Sequence, residues 1–159
     1  MKVLITGATG MVGKGVLLEC LDHPKIEEVM TIGRSTLDLQ HSKLKQIQHT
    51  DFSKFDAVKG QLVGLNAAYL CMGVSAAGLS EKEYSKLTYD YTLSLAKVLY
   101  DANPEMTITY VSGEGTDSTE KGSIMWARVK GKTENDLIGL GFKQAYMFRP
   151  GAIIPRRGI

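Results

Sequence analysis

Short β-rich runs recur along the chain with amphipathic stretches between them. "KVLIT" (Lys2–Thr6), "EVMTI" (Glu28–Ile32), "KQIQH" (Lys45–His49), "AAYLCM" (Ala67–Met72), "TITYV" (Thr107–Val111) and "QAYMF" (Gln144–Phe148) each have the length and residue types of a strand. Continuous apolar strands belong in a parallel sheet covered by helices on both faces. Between the first two runs, Val12, Val16 and Cys20 fall at i, i+4 and i+8, which predicts one apolar helical stripe that Asp22-His23-Pro24 ends. The longest helix is predicted over Ser80–Asn103, with Tyr84, Leu87, Tyr91, Leu95, Val98 and Leu99 on one side and Pro104 forbidding continuation. Another is predicted from about Ser123 to Leu140, where "GLGF" breaks it. Six strands alternating with helices predict a doubly wound, mainly parallel α/β sheet, although a flavodoxin-like arrangement reads similarly.

The first strand-to-helix turn narrows this. In "ITGATGMVGKG", Gly7, Gly10 and Gly13 form Gly-x-x-Gly-x-x-Gly directly after a strand and opening a helix. Gly7 permits the tight turn, Gly10 lets backbone approach a pyrophosphate, and Gly13 brings the helix close to the sheet. Main-chain N–H groups at the helix start then face the phosphates, reinforced by the helix dipole. That context favours a Rossmann dinucleotide site over a glycine-rich turn without a ligand. A P-loop is excluded, because Ala8 occupies its first glycine position and Gly15 follows Lys14. At the end of the second strand, "IGRS" offers Arg34 and Ser35, with no acid until Asp38. A cation and a hydroxyl suit a 2′-phosphate where a carboxylate would grip a free 2′-hydroxyl, so NADP(H) is expected ahead of NAD(H). The alternative is a solvated Arg34.

Composition changes the picture little. The 159 residues fit one domain, 1–159, without repeat, low-complexity tract or linker. A net charge of +2 and the lack of any block of like charges argue against a nucleic-acid partner. The pair Arg156 and Arg157 is expected to be solvated. Cys20 and Cys71 stand alone, and His23, His41 and His49 are isolated, so no metal site is expected. Unpaired cysteines, no apolar run of membrane-span length and no signal-peptide core together predict a cytoplasmic protein without a membrane partner.

The motifs together resemble the atypical short-chain dehydrogenases/reductases, nearest to the NmrA-like and Tat-interacting-protein-like branches. The matching elements are "TGATGMVG", "GRS", "HTDF", "YLCMG", "YVSGEG", "VKGKTE" and "FRPG", in order along essentially the whole chain. The resemblance adds Thr9, Met11 and Val12 to the glycines of the cofactor loop. It sets Asp51 and Phe52 beside the adenine, with Asp51 either accepting from the amino group or simply closing a turn. Cys71, Met72, Gly73 and Val74 would pass over the central riboses, Cys71 as a small hydrophobe rather than a reactive thiol. Ser112 would bond the substrate carbonyl, with "GEG" leaving the register open by one residue. Lys130 would bind the nicotinamide-ribose hydroxyls; otherwise it is an exposed lysine paired with Glu134 at i+4. Arg149, Pro150 and Gly151 would end the sixth strand beside the nicotinamide.

The chain departs from that family at "MWARVKG". Trp126 stands four residues before Lys130, where the family carries its tyrosine acid. An indole N–H is a donor but no acid near pH 7, so carbonyl reduction should be impaired. Trp126 as a packing residue in a slipped register is the alternative. Substitute acids would be Tyr110, on the Ser112 side of its strand, or a buried Glu114 with a raised pKa. Tyr84 and Tyr91 read as core or dimer contacts, and Tyr89 as solvated. Family members also continue past this point with elements that close the substrate pocket, so the chain reads as a fragment or a minimal form. The two functions implied are an NADP(H)-dependent oxidoreductase on a small, unidentified carbonyl and a non-catalytic dinucleotide sensor. Helix pairing in much of the family implies a homodimer.

Overall fold

The computed structural model describes residues 1–155; the basic pair Arg156 and Arg157 lies outside them. Six strands form one sheet: β1 (Lys2–Thr6), β2 (Glu28–Gly33), β3 (Leu44–Gln48), β4 (Ala67–Leu70), β5 (Thr107–Val111) and β6 (Gln144–Phe148). Their order is β3-β2-β1-β4-β5-β6 and every pairing is parallel. The order reverses between β1 and β4, the place where doubly wound sheets open a crevice for ligands. The expected doubly wound Rossmann sheet is therefore the observed one.

Strand alternation sorts the side chains onto two faces. Val3 and Ile5 face helix α1 (Met11–Asp22) and build a small core with Leu17, Cys20, Leu21, Ile26 and Val29. Leu4, Leu70, Ile108 and Tyr110 point the other way, into a larger core with Leu95, Ala96, Leu99 and Leu137. Those last residues come from α3 (Tyr91–Ala102) and α4 (Met125–Gly139).

Several boundaries differ from the expected ones. β4 stops at Leu70 because the hydroxyl of Thr6 accepts from the N–H groups of both Cys71 (3.1 Å) and Met72 (3.2 Å), drawing the chain out of the ladder. On α1 the buried positions are Gly13, Leu17, Cys20 and Leu21. Val12 and Val16 instead line an apolar cleft of about 290 Å³ with Tyr69, Cys71, Val111 and Phe148. Val12 and Val16 thus mark the flank of the helix over β4–β6, while Cys20, the third residue of the stripe, joins the core seam.

The long helix begins at a capping box, with Ser80 accepting from the Glu83 N–H and Glu83 from the Ser80 N–H. It runs as α2 (Glu81–Ser85), a π-helical turn (Lys86–Asp90) and α3. The wide turn rotates the register, so Leu93, Leu95, Ala96 and Leu99 are buried after it while Tyr91 is half-buried. Tyr89, expected to be solvated, bonds the Asp136 carboxylate (2.5 Å) under the Lys132 ammonium.

Candidate functional site

The glycine loop has the geometry its sequence demands. Gly7 has φ +66°, and a Cβ there would lie 2.6 Å from the Cys71 carbonyl oxygen. A Cβ on Gly13 would lie 2.1 Å from the Gly7 carbonyl oxygen. Both positions must be glycine for the turn to close. Gly10 differs: its φ of −84° suits any residue, and a Cβ would meet only the Gly7 carbonyl oxygen, at 3.3 Å. Gly10 is the N-cap of α1, no side chain caps the helix, and its first turn carries no acid. Thr9, Gly10 and Met11 are exposed along this edge. A helix start left open in this way presents N–H groups and the positive dipole end to an anion.

Beside it, Gly7, Ala8 and Thr9 share a cavity of about 80 Å³ with Thr31, Ile32, Gly33, Arg34, Ser35 and Leu37. The glycine loop and the "GRS" segment are thus brought together, and no carboxylate lines the space between them. Cys71 and Met72 press against Gly7 through their backbones, and Gly73 follows in the open. Burial pushes the Cys71 thiol up to about 12, which keeps it protonated.

Asp51 and Phe52 are separated in role. Asp51 is exposed and its carboxylate accepts from the N–H (3.0 Å) and hydroxyl (2.5 Å) of Ser53, closing a turn. Phe52 is 4% exposed and packs edge-on to Phe55 and tilted to His49 and Tyr91. Its ring belongs to the core, so the ring itself is not open to an adenine.

Ser112 is likewise buried. By alternation with Tyr110 its side chain points to the α4 side of the sheet, where its hydroxyl donates to Glu134 Oε1 at 2.5 Å. It is 5% exposed, with its hydroxyl taken up by Glu134. Glu134 is also buried, and the guanidinium of Arg149 grips both of its oxygens from the exit of β6, with Nε at 3.1 and 3.2 Å. The i+4 pairing of Lys130 with Glu134 is not formed. The Lys130 Nζ instead donates to the Ser112 carbonyl oxygen at 2.6 Å. Burial holds its ammonium below the usual lysine range, with the Glu134 charge acting the other way. A single sequence gives little signal for this network, since Ser112, Glu134 and Arg149 come from three different elements.

Trp126 and Lys130 do lie together: a Cβ on Gly113 would be 4.0 Å from both the Lys130 Nζ and the indole Cζ3. A Cβ on Gly115 would likewise meet the indole edge, at 3.5 Å. Neither substitute acid is placed to serve. Tyr110 is 1% exposed and burial pushes its phenol well up, while Glu114 is exposed. Pro150 and Gly151 adjoin Glu114: its N–H donates to the Pro150 carbonyl oxygen at 2.9 Å, and its carboxylate lies against Gly151.

The "VKGK" glycine, Gly131, has a role that sequence reasoning missed. A Cβ there would lie 1.7 Å from the Asp117 carbonyl oxygen, so only glycine lets the 112–124 loop lie on α4. Replacing Gly131 with alanine is expected to cost about 1–3 kcal/mol in a urea titration. An unchanged midpoint would show that the loop yields freely. Among the described residues no cluster of three His, Cys, Asp or Glu could hold a metal, and no helix is long and apolar enough to cross a membrane.

Comparison with known proteins agrees with this fold. The chain is 30% identical over 161 residues to Protein FMP52, mitochondrial, of Candida albicans, covering 99% of this chain and 69% of that protein. Further fungal relatives are likewise named mitochondrial, which overturns the expected cytoplasmic placement; free thiols report a reducing environment, which the cytoplasm shares with other compartments. Among solved structures, uronate dehydrogenase from Agrobacterium tumefaciens matches with a TM-score of 0.69 at 21% identity. That match covers 91% of this chain and 58% of the enzyme, one mutant of which was solved with NAD. A short-chain dehydrogenase from Burkholderia cenocepacia in complex with NADP matches with a TM-score of 0.73 at 14% identity, over 99% of this chain and 76% of the other. Residues 3–121 match the pattern of the NAD dependent epimerase/dehydratase family, and the chain belongs to that family.

Proposed function

We propose that this chain binds NADP(H) along the crevice at the carboxyl ends of its strands and reduces carbonyl compounds weakly or not at all. The observation that carries the binding is the glycine loop, Gly7 to Thr9, sharing one cavity with Arg34 and Ser35 and leading straight into the uncapped start of α1. The N–H groups from Thr9 to Gly13 would hold the pyrophosphate, with Gly7 keeping the turn closed. Arg34 and Ser35 would take the 2′-phosphate by charge and hydrogen bond. Cys71, Met72 and Gly73 would border the central riboses, and Lys130, Pro150 and Gly151 the nicotinamide half. The bound dinucleotide would supply hydride chemistry; the chain itself supplies the grip. Lys130 offers an ammonium to ribose hydroxyls, and Trp126 beside it offers a donor that keeps its proton at neutral pH. This favours, within the NmrA-like comparison, a second reading as a dinucleotide sensor, and the outer faces of α3 and α4 as homodimer surfaces.

Titration with NADPH and NADH tests the cofactor reading, and a panel of small carbonyls tests turnover. Tighter NADPH binding is expected; equal or tighter NADH binding would remove the role given to Arg34. Arg34→Asp should reverse the preference, because a carboxylate repels the 2′-phosphate and accepts from a free ribose hydroxyl. A variant that keeps the native preference would leave Arg34 a solvated residue.

A further inference from the structure

Glu134 is a carboxylate with 3% of its side chain exposed, on a helix face where an apolar residue would pack without cost. A buried ion pair is often no more stabilising than apolar residues of the same volume, so its presence invites another explanation. Its contacts converge on one place. Arg149 holds Glu134 from β6, Glu134 accepts the Ser112 hydroxyl from the end of β5, and the next carbonyl, that of Ser112, receives the Lys130 ammonium from α4. The Phe148 carbonyl oxygen is also within 3.2 Å of the Ser112 hydroxyl, but it already accepts the Ser112 N–H at 2.8 Å. The Ser118 hydroxyl accepts from the far nitrogen of Arg149, so the loop after β5 is tied to the same pair.

Resting on the dinucleotide reading above, we propose that Glu134 and Ser112 are positioning residues for Lys130. The Arg149-anchored carboxylate draws the Ser112 hydroxyl inward and so aims the Ser112 carbonyl at the lysine. An ammonium has three donors. One is spent on that carbonyl, and the other two are held at the Gly113 side, where a ribose diol can accept them. The serine at the end of β5 thus acts through its backbone oxygen rather than by touching a substrate.

The test compares two ligands on the whole chain: NADPH, and adenosine 2′,5′-bisphosphate, which reaches the glycine loop and Arg34 but lacks the nicotinamide ribose. Trp126 is the single tryptophan, so its fluorescence reports from the Lys130 end of the site as reduced nicotinamide quenches it. The bisphosphate is followed by calorimetry. Glu134→Gln is expected to weaken NADPH about tenfold, the scale of a charged hydrogen bond, and to leave the bisphosphate within about twofold. Lys130→Gln should produce the same selective loss, and the two changes together should lose little more than either alone. Should Glu134→Gln fail to fold, Ser112→Ala cuts the same link while keeping the ion pair and should show the same selectivity. Equal losses for both ligands, no loss for either, or additive effects with Lys130→Gln would overturn the positioning role. A native chain that binds neither ligand would remove the dinucleotide reading itself, and this inference with it.

Discussion

Replacing Gly10 with valine is expected to abolish dinucleotide binding while leaving the fold in place. The three glycines of the loop are not equivalent, and the distances say which one tests the ligand. A side chain on Gly7 or Gly13 strikes backbone at 2.6 and 2.1 Å, so either change damages the turn before any ligand is considered. Gly10 has ordinary extended dihedrals, and its added Cβ would make one tight contact at 3.3 Å. The branched side chain would stand over the open start of α1, in the space a pyrophosphate must enter. A loss of at least roughly 100-fold in NADPH affinity is expected, about 2.7 kcal/mol. Stability should fall by no more than about 1 kcal/mol, because the valine methyl groups have solvent to occupy. Unchanged affinity in a folded Gly10→Val protein would mean that this helix start holds no phosphate.

Trp126→Tyr should raise carbonyl reduction, and the ceiling on the gain is the worth of a general acid, roughly 10²–10⁴-fold. The substitution places a phenol beside Lys130, whose ammonium donates to the Ser112 carbonyl oxygen. A positive charge at that range stabilises phenolate and brings the proton within reach of neutral pH. The smaller ring leaves the space beside Gly115 less filled, since the indole edge lies 3.5 Å from where a Cβ on that glycine would stand. NADPH affinity should stay within a few-fold, because the contacts proposed for the cofactor come from Lys130 and the glycine loop. Steady-state reduction of a carbonyl panel by both proteins is the measurement. Vigorous turnover by the native chain, indifferent to this change, would show that the acid lies elsewhere.

How far the chain could be read before folding depended on distance along it. The β1 turn, its three glycines and the amphipathic α1 lie within one βαβ unit, where each residue's task follows from its neighbours. The same locality made the alternation of strands and helices, and hence the sheet, legible. The network at Glu134 shows the limit. Lys130 and Glu134 are one turn apart, which argues for a pair between them, yet Arg149 arrives from the last strand and takes the carboxylate. Phe52 shows a related limit: the resemblance sets it beside Asp51 at the adenine, and only the fold shows Phe55 and Tyr91 packed against its ring. Gly131 stands within "VKGKTE" with nothing nearby in sequence to give its purpose, because the Asp117 carbonyl that needs the space comes from a loop with no regular period.

The sheet divides the interior into two unequal reservoirs. On the side of α3 and α4 the packed cluster runs from Leu4 and Met30 across to Tyr110 and Phe142. On the other, α1 is held by a short set of residues, and its Val12–Val16 flank borders an open apolar cleft. Local opening draws on the contacts of the element that moves, so α1, docked on the smaller of the two cores, has less to hold it than the α3–α4 pair. It is also the helix whose first turn faces the crevice. A ligand that engages only the docked helix therefore acts as a clamp, and occupancy can be read as slower amide exchange along α1 while the α3–α4 side changes little.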